Sequence, residues 1–151
     1  MRSILRSIGA VIAGFVVASI VMTAVEAING RVFYPELAKA AEGVTDRDTV
    51  RALMAGAPVG ALLVVIVGWI LGGVAGGWMS AKLAPRAAAG HAAFLAALLT
   101  CAGIANNLMI PPPLWFWIAS LVVFIPATLV GARFVSGRPG GAAPSSPAQM
   151  A

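Results

Sequence analysis

Four stretches of about twenty apolar residues, each carrying at most one charge, dominate this 151-residue chain and restrict what it can become. They run from Ile8 to Ala27, Val59 to Met79, Ala87 to Asn106 and Leu114 to Ala132. A bilayer core about 30 Å thick needs about 20 apolar residues at a 1.5 Å rise, because without water every backbone N–H and C=O must be satisfied inside the helix. The expected fold is therefore an all-α membrane protein. It comprises a four-transmembrane-helix bundle over residues 1–136, a partly helical outer loop over residues 30–58 and a disordered tail over residues 137–151. The lipid bilayer is the partner this implies.

Composition agrees. The chain is 60% hydrophobic and only 10% charged, against about 25% charged in soluble domains. A net charge of +5 does not point to nucleic acid, since the basic residues flank apolar runs and form no stripe with interleaved aromatics. Cys101 is the single cysteine and lies within an apolar run, so no internal disulfide can form. No His and Cys cluster has metal-ligand spacing, and neither a cofactor nor a metal is expected.

Charge distribution sets the expected orientation. Arg2 and Arg6 precede the first span, Lys82 and Arg86 join the second to the third, and Arg133 and Arg138 follow the fourth, with no acid among them. The opposite side carries Arg31, Lys39, Arg47 and Arg51 beside four acids, and an uncharged turn from Asn106 to Pro113. Lys and Arg on the cytoplasmic side determine orientation, whereas acids contribute little, which favours both termini in the cytoplasm. Trp115 and Trp117 then fit an outer aromatic belt and Trp78 an inner one. Trp69, in mid-span, either faces lipid or fills a gap between helices. Cleavage of the first span as a signal peptide is the rival reading, given the small-x-small pattern at Val25-Glu26-Ala27. The apolar run from Ile8 to Val25 exceeds the roughly 7–15 residues of a signal core, which favours an uncleaved anchor.

The long outer loop has its own helix signals. Pro35 at a first-turn position, Glu36 behind it and Gly43 as a stop outline one short helix. Thr45 is expected to cap a second, with Asp46 and Asp48 in the first turn and Val50, Leu53 and Met54 on one face. Two amphipathic helices on the membrane surface, or a lid over a site between the spans, satisfy this pattern. The tail from Gly137 is too poor in bulky apolar residues to offset the entropy of ordering. No repeat relates the two halves, so an inverted-repeat transporter is not supported.

Two patterns within the spans stand out. Gly68, Gly72, Gly76 and Ser80 recur every four residues in the second span, with Gly73 and Gly77 beside them. Small residues at that spacing let helix backbones approach closely, and van der Waals packing replaces the hydrophobic drive that lipid cannot supply. The partner helix belongs either to the same chain or to a second copy, a homo-oligomer; another membrane protein is the third option. The second pattern is polar. Ser19, Thr23 and Glu26 share a face of the first span, and Ala96, Thr100, Gly103 and Asn107 share one of the third. With both termini inside, Glu26, Asn29, Asn106 and Asn107 gather near the outer boundary, with Thr23 and Thr100 below them, as the one candidate polar site. In the functional reading, Glu26 accepts hydrogen bonds from Asn106 or Asn107 and holds a proton or cation in a cavity reached from outside. In the plainer one, Glu26 reaches water or pairs with Arg31, and the asparagines cap a helix end.

His91 falls nearly opposite Asn107 around its helix and outside that cluster. Pro126 removes one helix hydrogen bond and predicts a kink near Val122. No serine or threonine has a histidine at a matching depth and no two acids share a span face, so catalysis is not expected.

The succession of Glu26, Phe33-Tyr34-Pro35, Gly72-Gly73, Gly76-Gly77-Trp78, Pro112-Pro113-Leu114-Trp115 and Gly131-Ala132-Arg133 resembles small four-span proteins of the bacterial inner membrane. That resemblance implies topology and location and carries no activity. A glutamate in the first of four short helices is also similar to the small multidrug-resistance transporters. This chain departs from them in placing its carboxylate near the span's end and in having a long outer loop. The reading is a non-catalytic structural, interaction or accessory protein. The alternative is a small proton- or cation-coupled transporter or channel that uses Glu26.

Overall fold

The computed structural model describes residues 2–84 and 87–136; the tail expected to be disordered, and Arg86 and Arg138 of the charge argument, lie outside the described residues. Every regular element among the described residues is helical. Helix α1 runs Arg2–Ile28 and passes into a π-helical turn, Asn29–Phe33. Helices α2 (Pro35–Ala41) and α3 (Arg47–Gly56) form the long loop. They lead into α4 (Val59–Leu83), α5 (Ala88–Met109) and α6 (Leu114–Ser136). Helices α1, α4, α5 and α6 are long and apolar enough to cross a membrane. At 22 to 27 residues each they are at least about 33 Å long, enough for the hydrocarbon core.

All four helices outrun the apolar stretches that announced them, because a helix continues into the headgroup zone wherever amphipathic side chains cover its last turn. Helix α4 extends to Leu83, past Lys82, whose ammonium lies 4.7 Å from the centre of the Trp78 ring. Such an amphipathic pair suits an interface. Arg6 Nε donates to the Leu83 carbonyl at 2.9 Å, closing the end of α4 as basic side chains commonly do at helix C-termini.

Successive spans run in opposite directions and form a four-sided bundle in the spatial order α1, α4, α6, α5, in which the neighbours α4 and α6 are parallel. Helix α4 packs most closely, against α1 on one side and α6 on the other; α5 lies against α6, and the α1–α5 side is the loosest of the four. Glycine sets the tight contacts. Along one face of α4, a Cβ on Gly76 would lie 2.6 Å from the Gly14 carbonyl oxygen of α1, and one on Gly72 would meet Ala18 and Met22. Along the adjacent face, Gly73 lies against Ala127, and Gly77 against the main chain of Thr128 on α6. The glycine pattern of the second span is thus used twice, and within the same chain.

The core collects where these faces meet. Trp69, Phe116, Phe124, Leu95, Leu99, Leu62 and Ala18 form its main cluster, and a smaller alanine cluster of Ala81, Ala88, Ala92 and Ala132 lies towards the chain termini. Trp69 is 4% exposed. It fills a gap between helices, and the lipid-facing alternative is corrected. Pro126 lies inside a continuous α6, where Thr128 Oγ1 bonds back to the carbonyls of Phe124 and Ile125.

In the loop, Pro35 opens α2 as expected. The cap of α3 is shifted by one residue. Asp46, not Thr45, is the N-cap, accepting at Oδ2 from the Thr49 amide at 2.9 Å and the Thr49 hydroxyl at 2.7 Å. Because Thr49 offers two donors to one carboxylate, Asp46 outcompetes a neighbouring hydroxyl as the capping group. Both bonds favour the ionised form and hold the Asp46 carboxyl below its usual range.

Candidate functional site

On α1, the helical period places Phe15, Ser19, Met22, Thr23 and Glu26 towards α5 and α4. Ser19 spends its hydroxyl on the Phe15 carbonyl at 2.9 Å. Glu26 is exposed along the open side of the bundle, and its Oε1 accepts from the indole Nε1 of the buried Trp69 at 3.2 Å. The packing of Gly68 against Val25 brings α4 close to α1 at this level, and the long Trp69 side chain reaches across to Glu26. Trp69 is itself fixed from behind. Its ring stacks on Phe124, with centroids 5.1 Å apart and planes 22° apart, and meets Phe116 edge-on at 5.8 Å. The donor is therefore held in place before any ligand arrives.

Where α5 stands away from α1, the same residues line a cleft of about 230 Å³ completed by Leu99, Ala102, Gly103, Asn106 and Phe124. It has an aromatic and aliphatic floor, a carboxylate at one end, and hydroxyl and amide groups along its sides. None of its lining residues is basic. Among the described residues the only ion pair is Lys39 with Glu36, so Glu26 is not paired with Arg31.

The expected polar cluster is divided. Thr23, Glu26 and Asn106 line the cleft, whereas Asn29, Thr100 and Asn107 do not. Asn107 is 1% exposed and donates from Nδ2 to Ser120 Oγ on α6 at 2.9 Å; Ser120 in turn donates to the Trp117 carbonyl. Successive helix residues diverge by about 100°, so Asn106 and Asn107 cannot share a face. Asn29 donates to the Ala61 carbonyl of α4 at 3.0 Å, pinning the π-helical turn to the start of that helix. Thr100 returns its hydroxyl to the Ala96 carbonyl at 2.8 Å. Neither asparagine of α5 bonds to Glu26, and the donor expected there is corrected to Trp69. An indole N–H buried in mid-span needs an acceptor, and Glu26 is the only acid in any span; that was the signal in the sequence.

Farther along the α1–α5 seam, a second, almost wholly apolar groove of about 390 Å³ lies between Ser7, Ile8, Val11 and Ile12 of α1 and Gly90, His91, Phe94 and Leu98 of α5. His91 lies there with Nδ1 2.8 Å from the Ala87 carbonyl, at the opposite end of the seam from Glu26. The two cannot act on one atom, and the Glu26 cleft has a carboxylate but no second titratable group with which to exchange a proton.

Comparison of the chain with known protein families, with curated proteins and with solved structures gave no match.

Proposed function

We propose that this chain is a non-catalytic, multi-pass protein of the bacterial inner membrane that works by binding at the lateral cleft around Glu26. Both termini lie in the cytoplasm and the cleft opens near the outer boundary. The observation that carries the reading is the Glu26 carboxylate within a membrane-spanning helix, with one neutral donor from Trp69 and no cation beside it, in a cleft open between α1 and α5. A carboxylate in such a place is costly unless its charge is used or neutralised. The glycine faces of α4 are already filled by α1 and α6. A second copy or another membrane protein would therefore meet a surface other than these glycine faces.

The test is thiol accessibility on intact cells in a Cys101→Ala background, with single cysteines at position 26 and in the Asn106–Pro113 turn. We expect the turn to react readily with a membrane-impermeant reagent and position 26 to react slowly. Equal labelling would make Glu26 an ordinary interfacial residue and remove the cleft from the proposal. Labelling of both only after lysis would reverse the orientation.

The same carboxylate favours a second reading, proton- or cation-coupled transport, because a group with one neutral partner can exchange a cation without breaking an ion pair. Glu26→Gln should then abolish flux in proteoliposomes. In the binding reading, the variant alters only what is held.

A further inference from the structure

We infer that the Glu26 cleft is a site for a membrane lipid whose headgroup carries a primary ammonium, seated from the side through the gap between α1 and α5. This rests on the cleft reading above and names its ligand class. Three features argue for it.

The first is charge. Glu26 has an indole donor but no cationic partner, and an ammonium supplies both the missing charge and the missing donors. The second is the floor. Trp69, Phe15 and Phe124 line the cleft beneath the carboxylate, offering apolar surface to an acyl chain. A metal ion would instead demand several oxygen ligands, and of the hydroxyls that line the cleft, Ser19 is engaged with the Phe15 carbonyl.

The third is length and access. From Glu26 back to Phe15 the cleft follows eleven residues of α1, about 16 Å, roughly half the hydrocarbon thickness. That is the depth of one leaflet. A ligand entering from water would have no use for an opening towards lipid, whereas a lipid needs one. Arg31, exposed and in no ion pair among the described residues, stands just beyond Glu26 in the π-helical turn, at the level where the phosphate of such a lipid would lie.

The test uses the purified full-length chain in detergent micelles, offered phosphatidylethanolamine and phosphatidylglycerol in equal amounts. Retained lipid is counted by mass spectrometry of the intact protein. We expect phosphatidylethanolamine to be retained preferentially. Glu26→Gln should lower its retention about tenfold, the scale of one charge-assisted hydrogen bond. Ala102 is exposed and lines the cleft, so Ala102→Leu should fill the space and expel the lipid while helicity is unchanged. Equal retention of the two lipids by the unmodified chain, or unaltered preference in Glu26→Gln, overturns the inference. So does retention of dodecylammonium without phosphatidylethanolamine, which would assign the site to free amines. If lipid preference is absent but position 26 remains shielded from thiol reagents, the cleft stands and only its ligand is wrong. Free labelling at position 26 would remove both.

Discussion

Trp69 of α4 donates its indole N–H to the Glu26 carboxylate of α1 across 3.2 Å, from a ring held in a stack with Phe124 of α6. One side chain thus joins three helices, and its polar edge meets a charge-bearing group. Trp69→Phe keeps the stack and removes the donor. Cross-helix hydrogen bonds in membranes contribute about 0.6 kcal/mol on average and up to about 1.7, so the variant should lose about 1 kcal/mol in detergent unfolding. A double-mutant cycle with Glu26→Ala should show that loss to be shared. Strict additivity would mean that the bond contributes nothing to stability.

Substitution of Gly77 tests the close approach of α4 and α6. A Cβ there runs into the Thr128 main chain, which cannot rotate aside. Gly77→Ala should cost about 1–3 kcal/mol, the range for overpacking. Gly9, whose Cβ would meet nothing within 4 Å, serves as the control. Gly9→Ala should leave stability unchanged or raise it by up to about 1 kcal/mol through helix propensity, and unfolding of the two variants side by side checks the difference.

Asn107 and Ser120 form a buried contact that is structural, separate from the cleft. Their coupling energy should fall within about 0.6–1.7 kcal/mol. Asn107→Leu should leave lipid retention unaltered, because the side chain faces α6. A change in retention would place Asn107 back in the Glu26 site.

The Asp46 cap gives α3 a pH dependence. Its folded pKa is lowered, first by the Thr49 hydroxyl and then by the Thr49 amide. Its stabilising effect is therefore fully present above the unfolded value, near 3.8, and is lost as pH falls through the lower folded value. Protection of the Thr49 amide from hydrogen exchange should be constant at neutral pH and decline only below about pH 4, after allowance for the intrinsic rate. Asp46→Ala should abolish that protection at every pH, whereas Thr45→Ala should not.

The spans were legible because the physics that makes them helices is local: an apolar run of sufficient length in lipid has no other way to satisfy its backbone. The glycine spacing in α4 was legible for the same reason. Its partners were not, since periodicity shows that a face is flat without saying whose backbone lies against it. At the candidate site, Glu26 and Thr23 could be placed on one face from their spacing alone. The assignment of Asn107 failed because a polar residue near a helix end looks the same whether it turns towards the cleft or towards Ser120. That choice depends on the rotation of α5 about its own axis, which packing of Gly103 against Phe124 fixes. Thr45 and Asp46 differ by one position, and the side chain of Thr49, three residues past Asp46, decided between them.

Main-chain contact on two faces of α4 has a mechanical consequence. Gly76 meets the Gly14 main chain of α1 and Gly77 the Thr128 main chain of α6, so at these two points no side chain can change rotamer to let the helices slip. They form a stiff plate. Helix α5 is held most extensively along α6, less so against α4, and least along the α1 edge that borders the seam. Any widening of the Glu26 cleft therefore falls to α5, swinging about α6 like a door on its jamb, while the carboxylate and its tryptophan stay on the frame.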